Sequence, residues 1–142
     1  MSLDRLDGSS LSEVKGLLEA NDLPVSDLTA DVILMGRRSG GRLVGVVGLE
    51  ALGSVGLLRS LAVETSERGG GLGGKLVSAV EQLAREAGIG ELYLLTTTAE
   101  PYFARRGYQR LTREAAPAAI RQTTEFSSIC PASSAFMRKV LV

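Results

Sequence analysis

The chain has 142 residues, 44% of them hydrophobic and 23% charged, and its 16 basic residues balance its 16 acidic ones. This composition is typical of one globular domain, here residues 1–142, and gives no indication of a nucleic-acid or membrane partner. The absence of histidine excludes the commonest general base and metal ligand, and the single cysteine, Cys130, excludes an internal disulfide and a thiolate metal cluster. We therefore expect no bound metal and, because the N-terminus lacks a signal-peptide pattern, a cytoplasmic protein.

The first half of the chain predicts one helix followed by an antiparallel meander. Apolar residues at positions 11, 14, 17 and 18 lie on one face of a helix over 9–20, and Ser9 or Ser10 can cap its start. Three apolar runs that follow are separated by the short turns SGG and GS, which favours neighbouring antiparallel strands. The predicted strands are 31–38, 42–52 and 53–63.

In the second half the apolar period changes to that of a helix. Leu72, Leu76, Val80 and Leu83 recur at spacings of three and four residues, and Gly88 ends the pattern. A strand over 91–97 follows, which we expect to lie parallel to 53–63 because a β-helix-β connection favours that arrangement. The remaining predicted elements are a short helix over 99–107, a strand at 108–111, a helical turn at 117–122 and a closing strand at 133–141.

The stretch ERGGGLGGKL, residues 67–76, fits three phosphate-binding patterns at once. A P-loop would need Ser or Thr where Leu76 stands, and a dinucleotide loop would need an acidic residue where the next strand ends in three threonines. The third pattern is R-x-x-G-x-G, formed by Arg68, Gly71 and Gly73 and typical of acyl-CoA-dependent N-acyltransferases. A flexible turn without a ligand is the alternative, although it leaves the position of Arg68 unexplained.

The order of the predicted elements and two motifs resemble the GCN5-related N-acetyltransferase (GNAT) superfamily over nearly the whole chain. The segment LRSLAVETSERGGGLGGKLV is similar to that family's central strand, acyl-CoA loop and following helix, and LYLLTTTAEPYFARRGYQRL is similar to its second motif. The resemblance implies an α/β (α+β) fold with a mixed, mostly antiparallel sheet, a splayed parallel central strand pair and flanking helices. It also implies acetyl-CoA as the co-substrate of an N-acetyltransferase that acts on a small-molecule amine.

In that family the backbone N–H groups of the glycine loop hold the CoA pyrophosphate, and the strand before the loop pairs with the pantetheine arm. Glycine permits this close approach because it has no β-carbon, and a helix N-terminus favours an anion. For Lys75 a solvated surface position is the alternative. The residues assigned to the cofactor are Leu61, Ala62, Val63, Arg68, Gly69, Gly70, Gly71, Leu72, Gly73, Gly74, Lys75, Phe103 and Arg106.

The implied reaction is direct attack of an amine on the acetyl thioester, which suits a chain without histidine. Glu64 and Glu50 are the candidate bases, and a solvated or strand-end charge is the alternative interpretation of each. In the family a tyrosine four residues before the glycine of the second motif often meets the leaving thiolate. That position here holds Phe103, and Tyr102 stands one residue earlier, about 100° around a helix. Tyr102 is the candidate acid if the helix register shifts; otherwise it packs elsewhere, or no acid is used.

Three further residues are candidates for the acceptor side of the site. Arg59 either binds an acidic group of the substrate or pairs with Glu50 across the hairpin. Cys130 either borders the substrate or is a small packed thiol, and Thr96, at the end of the strand over 91–97, is assigned to the same side.

A narrower resemblance concerns the acceptor. The segments LVGVVGLEALGSVGLLRSLAV and AAPAAIRQTTEFSSICPASSAFM, together with the second motif, are similar to the ArsN-type branch that is associated with arsenic-resistance operons. This similarity implies an amino-acid-like toxin or an organoarsenical as the acceptor. The alternative functions are a non-catalytic acyl-CoA-binding sensor and a peptide or protein acetyltransferase, and a homodimer formed through the C-terminal strand is a further expectation.

Overall fold

A mixed β-sheet is the centre of the computed structural model, which describes residues 3–23, 25, 28, 32–67, 69–97, 99–123, 126 and 134–141. Its strands are β1 (Asp4–Leu6), β2 (Ile33–Ser39), β3 (Arg42–Leu52), β4 (Val55–Val63), β5 (Glu91–Thr96), β6 (Gln109–Leu111) and β7 (Ala135–Val140). The α-helices in the described residues are α1 (Leu11–Ala20), α2 (Leu72–Glu86), α3 (Glu100–Ala104) and α4 (Ala118–Arg121). The strand order in the sheet is β1-β2-β3-β4-β5-β7-β6.

The predicted meander is confirmed, since β2 pairs with β3 and β3 with β4, both antiparallel. Its two tight turns contain Gly40, Gly41 and Gly53, whose φ angles of 59°, 80° and 83° lie in the left-handed region. Glycine adopts this region without the steric penalty that a β-carbon brings, so the glycines of the two short turns fix the strand register.

The predicted parallel pair at the centre of the sheet is also confirmed. Strands β4 and β5 are paired only from Val55 to Leu57, opposite Glu91 to Tyr93, and α2 connects them. Beyond these residues β4 continues against β3 alone, and β5 continues against β7. The two central strands therefore diverge toward their C-terminal ends and leave one edge of each without a strand neighbour.

Helices cover both faces of the sheet. The apolar stripe of α2 packs on one face, where Leu76 and Val80 are fully buried against β3 and β5 residues. On the other face α1 packs Val14 and Leu18 over the meander, and α4 packs Ile120 against Leu57 and the β5–β7 pair. This arrangement, an α/β fold with a mostly antiparallel sheet and one parallel pair, confirms the expected fold class.

Two features differ from the prediction. The short strand β1 was not predicted, because its three residues are too few to show an apolar period. Ser10 occupies the N-cap position of α1, but its side chain makes no capping hydrogen bond and its Oγ instead accepts a hydrogen bond from Arg38, while Asp7 accepts the Ser9 N–H at 2.9 Å. Strand β7 is paired on both sides over Phe136 to Arg138, so the homodimer through this strand stays a prediction that the pairing does not favour.

Candidate active site

Strand β4 contains a bulge shortly before its C-terminal end. The register with β3 shifts between the pairs Val46–Ala62 and Gly48–Arg59, so two residues of β4 face one of β3. Ser60, inside the bulge, has a φ of 59°, which is rare for a residue with a side chain. The extra residue changes the alternation of faces after the bulge.

The side chains before and after the bulge show this change in the alternation of faces. Leu58 lies on the α2 face of the sheet, and beyond the bulge Leu61 and Val63 pack against that same cluster. Ala62 is buried on the opposite face, under α1. The end of β4 therefore presents two apolar side chains beside the start of α2.

The glycine loop turns the chain from β4 into α2. Gly69 and Gly71 have φ angles of 90° and 82°, and a β-carbon at either would meet open space. The helix begins at Leu72 with no side chain capping it, and the Lys75 N–H is the first to bond back into the loop, to the Gly71 carbonyl at 3.2 Å. Backbone N–H groups at the start of a helix lack acceptors within the helix, and the helix dipole gives this end a partial positive charge.

Two side chains from α3 and the turn after it lie directly on the first turn of α2. A β-carbon at Gly73 would be 3.0 Å from Tyr102 Oη, and one at Gly74 would be 2.9 Å from Arg106 Cζ. The Arg106 guanidinium stacks on the Tyr102 ring, with Cζ 4.7 Å from the ring centroid. Glycine at these two positions therefore permits helix packing, a reason distinct from the positive φ that the loop requires.

These groups surround a cavity of about 400 Å³, which we call the α2 cavity. Its lining comes from the end of β4, from the glycine loop with the first turn of α2, and from the α3 region. The Tyr102 hydroxyl is buried and has no hydrogen-bond partner in the described part of the chain. The lining residues are Leu61, Val63, Glu67, Gly69, Gly71, Leu72, Gly73, Gly74, Tyr102 and Arg106.

Most residues assigned to the cofactor come together here. That assignment includes every lining residue except two: Tyr102, which was the candidate acid, and Glu67, which ends the short 3-10 turn after β4 and carries no motif of its own. Ala62 was assigned too but does not line the cavity. Gly70 and Lys75 are exposed and do not line the cavity. Arg68 lies outside the described residues.

Phe103 does not belong to the cavity. It is 5% exposed and packs in the core between the rings of Tyr102 and Tyr108, with centroid distances of 5.3 and 5.5 Å. Its assignment to the cofactor stays a prediction that this packing does not favour. Of the two neighbouring aromatic residues, it is Tyr102 that reaches the cavity.

The Glu64 carboxylate forms an ion pair with Arg42, the first residue of β3. Arg42 donates from Nε and Nη2 to its two carboxylate oxygens at 2.9 and 2.7 Å, and the Ser66 hydroxyl donates at 2.8 Å. The hydrogen bonds from Arg42, followed by the one from Ser66, lower the pKa of Glu64 below its ordinary value. A carboxylate stabilised in this way is a weak proton acceptor.

Glu50 and Arg59 form the pair across the hairpin that was one of the two interpretations. Arg59 Nη1 donates to Glu50 Oε1 at 2.7 Å, and Arg59 Nε donates to Ser60 Oγ at 3.0 Å. The Arg59 side chain is fully buried, whereas that of Glu50 is 19% exposed. The guanidinium therefore ties β3 to the bulge of β4, and neither side chain lines the α2 cavity.

The two remaining candidates are not in the α2 cavity either. Thr96 Oγ1 accepts the Ala99 N–H at 3.0 Å and so closes the turn that leads from β5 into α3. Cys130 lies outside the described residues. The described residues hold no group of three or more His, Cys, Asp or Glu side chains placed for a metal ion. No described helix is long and apolar enough to cross a membrane.

Comparison with protein-family models gives one match, to the acetyltransferase (GNAT) family, over residues 10–111. The matched segment extends from the start of α1 to the end of β6 and includes the glycine loop and the α3 region. It covers well over half of the chain.

Curated relatives match a shorter segment. The amino-acid acetyltransferases of Pseudomonas paraeruginosa and Pseudomonas aeruginosa PAO1 are each 41% identical over 64 residues, which is 45% of this chain and 15% of theirs. The chain thus matches only a small part of the length of these relatives.

Solved structures share the whole fold. N-acetylglutamate synthase from Neisseria gonorrhoeae, in complex with coenzyme A and N-acetyl-glutamate, superposes with a TM-score of 0.81 at 21% identity, over 99% of this chain and 35% of that one. Rv2747 from Mycobacterium tuberculosis, in complex with CoA, gives 0.79 at 22% identity and covers 100% of both chains. Tetrahymena GCN5 gives 0.81 at 16% identity, over 100% of this chain and 97% of that one. At these identities the similarity concerns the fold.

Proposed function

Because the chain belongs to the acetyltransferase (GNAT) family, we propose that it transfers the acetyl group of acetyl-CoA to the amine of a small molecule. One observation carries this proposal: the glycine loop and the N-terminus of α2 line a cavity whose wall also includes Tyr102, a side chain with a hydroxyl that has no partner among the described residues. Both features suit a ligand with phosphates at one end and a polar reacting group at the other.

The glycine loop is the proposed pyrophosphate site. Gly69, Gly71 and the first turn of α2 line the cavity, and the helix dipole favours a bound anion at this end of the helix. Arg106 adds a full positive charge to the same wall. The cavity volume of about 400 Å³ is within the range of small-molecule sites.

The end of β4 is the proposed site of the pantetheine arm. After Leu57 this strand has no pairing with β5, so its edge toward β5, at Leu61, can bond to an extended ligand as a neighbouring strand would. A backbone N–H there can also polarise the carbonyl of a thioester, which is where negative charge develops during acyl transfer.

The reaction needs two proton movements around one bond exchange. The amine nitrogen of the acceptor attacks the acetyl carbon, a C–N bond forms, and the C–S bond breaks with its electron pair going to sulfur. The attacking nitrogen loses a proton, and the sulfur gains one. We propose that Tyr102 donates the latter, because its side chain lines the cavity and its hydroxyl has no hydrogen-bond partner among the described residues.

The proton from the amine goes to solvent in this proposal. Glu64 is bound on both oxygens by Arg42, and Glu50 is bound by Arg59 on a part of the sheet that does not line the cavity. Either carboxylate would have to break an ion pair before it could approach the amine. Water, in contrast, can enter the open cleft between β4 and β5 and carry the proton away.

We further propose an acceptor of the amino-acid class. The 41% identity to amino-acid acetyltransferases over 64 residues supports this choice, as does the similarity in fold to an N-acetylglutamate synthase. The resemblance to the arsenic-associated branch suggests phosphinothricin and amino-acid-like organoarsenicals. These compounds belong to the same chemical class and should be included in a substrate panel.

The test measures the release of free thiol from acetyl-CoA with amino acids, phosphinothricin, organoarsenical amino acids, polyamines and aminoglycosides. Wild type is compared with Gly71→Glu, which places a carboxylate beside the proposed phosphate site. Gly53→Glu is the matched control, because Gly53 also has a positive φ and open space around its missing β-carbon but lies in the β3–β4 turn.

We expect turnover with at least one amine, loss of that turnover in Gly71→Glu, and retention in Gly53→Glu. Calorimetry with acetyl-CoA separates the alternatives. Binding that is weakened by Gly71→Glu, without turnover of any amine, would favour the non-catalytic sensor. No binding of acetyl-CoA by the wild type would reject the proposal as a whole.

A further inference from the structure

The hydroxyl of Thr96 connects the central sheet to the short helix α3. Thr96 is the last residue of β5, and its backbone is fixed in the sheet by its pairing with Ala135, the first residue of β7. Its Oγ1 accepts the Ala99 N–H at 3.0 Å. Ala99 is the N-cap residue of α3 and has no side-chain oxygen with which to cap the helix. The Thr96 hydroxyl therefore holds the start of α3 to the end of a paired strand.

Helix α3 depends on contacts of this kind because it has only five residues. Isolated helices shorter than about 12 residues are marginal in water. At the end of α3, Phe103 is buried in the core between two tyrosine rings. At its start, Glu100 also forms an ion pair with Arg110 at 3.1 Å, but both side chains are exposed, and such pairs contribute little. The Thr96 hydrogen bond is thus an important restraint on the start of the helix.

Tyr102 lies within the helical turn that begins at this hydrogen bond. The Ala99 carbonyl accepts the Phe103 N–H at 3.1 Å, and Tyr102 lies inside the turn that this bond closes. The Tyr102 hydroxyl lies close to the backbone of α2, since a β-carbon at Gly73 would be 3.0 Å from Oη. A shift or fraying at the start of α3 would therefore move this hydroxyl relative to the first turn of α2.

We propose that Thr96 is a positioning residue for Tyr102: its hydroxyl fixes the start of α3 and thereby the place of the Tyr102 hydroxyl beside the α2 cavity. This inference rests on the proposed acetyltransfer with Tyr102 as the proton donor. It differs from the direct contact with the acceptor that was expected from the sequence, because Thr96 here acts through another side chain.

The test uses two replacements of Thr96 and one matched control. Thr96→Val keeps the shape of the side chain but has no oxygen to accept the Ala99 N–H, whereas Thr96→Ser keeps the hydroxyl. Thr123→Val is the control, because Thr123 Oγ1 also accepts a backbone N–H from the third residue along the chain, Phe126, at 3.3 Å. That hydrogen bond lies just after α4, where Phe126 packs on Phe136.

The first readout is kinetic, with the amine that acetyl-CoA acetylates fastest. We expect Thr96→Val to lower kcat about threefold to tenfold, the effect of one neutral hydrogen bond, without raising KM for the acceptor. Thr96→Ser should restore most of the lost kcat, and Thr123→Val should leave kcat unchanged.

A double-mutant cycle separates positioning from direct contact. In a Tyr102→Phe background, Thr96→Val should cause no further loss of kcat, because the hydroxyl that Thr96 positions is absent. An equal loss in both backgrounds, or a raised KM for the acceptor, would overturn the positioning role in favour of a direct contact. A wild-type kcat in Thr96→Val would also overturn it.

A second readout does not depend on turnover. The chain has three tyrosines, so ¹³C-labelled tyrosine gives few ring signals in NMR, which Tyr→Phe variants assign. Thr96→Val should shift or broaden the Tyr102 signals, whereas Thr123→Val should change those of Tyr93, whose ring belongs to the aromatic cluster near α4. If no amine is acetylated, the proposed function fails, and this measurement still tests whether Thr96 fixes Tyr102. Unchanged Tyr102 signals in Thr96→Val would contradict the inference.

Discussion

Tyr102 places a buried hydroxyl against the α2 cavity without a partner among the described residues. A buried polar group that lacks a hydrogen bond costs about 1–3 kcal/mol, so a ligand or water molecule that pairs with this hydroxyl would recover part of that cost. Its neighbour Phe103 is turned into the core, as two successive residues on a helix must face different directions. Phe103 therefore packs in the core, while Tyr102 lines the cavity.

Replacement of Tyr102 by Phe tests the proposed proton donor. We expect kcat to fall about a hundredfold, as the loss of a general acid does, while the free energy of unfolding does not decrease. The control is Tyr108→Phe, since the Tyr108 hydroxyl donates to the buried Glu81 at 2.9 Å and its loss should cost about 1–2 kcal/mol of stability without changing kcat. A Tyr102→Phe enzyme with wild-type kcat over the whole pH profile would exclude Tyr102 as the donor.

Glu64 gives a pH-dependent contribution to stability. Its pKa is lowered in the folded protein from an ordinary value of 4.5, chiefly by Arg42, so the unfolded state binds this proton more readily. The stabilisation is present above the ordinary value and is lost as the pH falls through the lowered one. We expect Glu64→Gln to reduce the free energy of unfolding in urea near neutral pH, with the difference from wild type disappearing in acid.

The control for this pH dependence is Glu19→Gln, an exposed carboxylate of α1 with no salt bridge among the described residues. Its difference from wild type should remain small at every pH. A Glu64 effect that stays constant into acid would mean that the ion pair with Arg42 does not govern the titration. A large loss of kcat in Glu64→Gln would instead restore this residue as the base.

At the level of elements, the contact between α2 and the α3 region depends on two glycines. Gly73 and Gly74 lie in the first turn of α2, where Tyr102 and Arg106 rest on the backbone. Gly16, in the middle of α1, has no atom within 4 Å of its missing β-carbon. The same substitution, glycine to alanine, therefore has opposite consequences in the two helices.

We expect Gly16→Ala to stabilise the protein by about 0.5–1 kcal/mol, the ordinary difference in helix propensity, without an effect on acetyl-CoA binding. Gly74→Ala should displace the Arg106 guanidinium from the Tyr102 ring and weaken acetyl-CoA binding, by about tenfold for the loss of one charged contact. Calorimetry and urea unfolding of both variants provide the comparison. Undiminished binding by Gly74→Ala would show that Arg106 does not contribute to the site.

The elements themselves were largely predictable from the sequence, because the apolar period of α2 and the glycines of the short turns are local signals. Strand β3 has the predicted bounds, residues 42 to 52. The position of β7 between β5 and β6 was not predictable, since strand order depends on distant pairings that leave no local pattern. For Arg59 the sequence allowed either a substrate contact or a pair with Glu50. The structure shows the pair with Glu50, which depends on the register of β3 and β4.

At the level of the whole molecule, β7 connects the edge strand β6 to the rest of the sheet, because it lies between β5 and β6. Six residues of β7 pair with β5, and three pair with β6, which has no other strand neighbour in the described sheet. The edges of that sheet are the three-residue strands β1 and β6, and short edge strands limit pairing with other chains. The homodimer through the C-terminal strand stays a prediction that this arrangement does not favour.

Hydrogen exchange tests this description of the sheet. We expect the amides of β5 and β7, such as Leu94 and Met137, to exchange only through global unfolding, because they are buried and paired within the sheet. The amides of β1 should exchange faster through local opening at the edge. Mass spectrometry of peptides from both regions would measure the difference, and equally fast exchange in β7 and β1 would contradict this description of the sheet.

The place of β7 also has a consequence for biosynthesis. While the ribosome adds residues up to 134, the outer edge of β5 is bare and β6 has nothing to pair with, although the meander and α2 have already emerged. Unpaired strand edges in a partly folded chain promote aggregation. Nascent chains stalled with β7 still inside the ribosome should therefore require chaperones, whereas chains released from the ribosome should not.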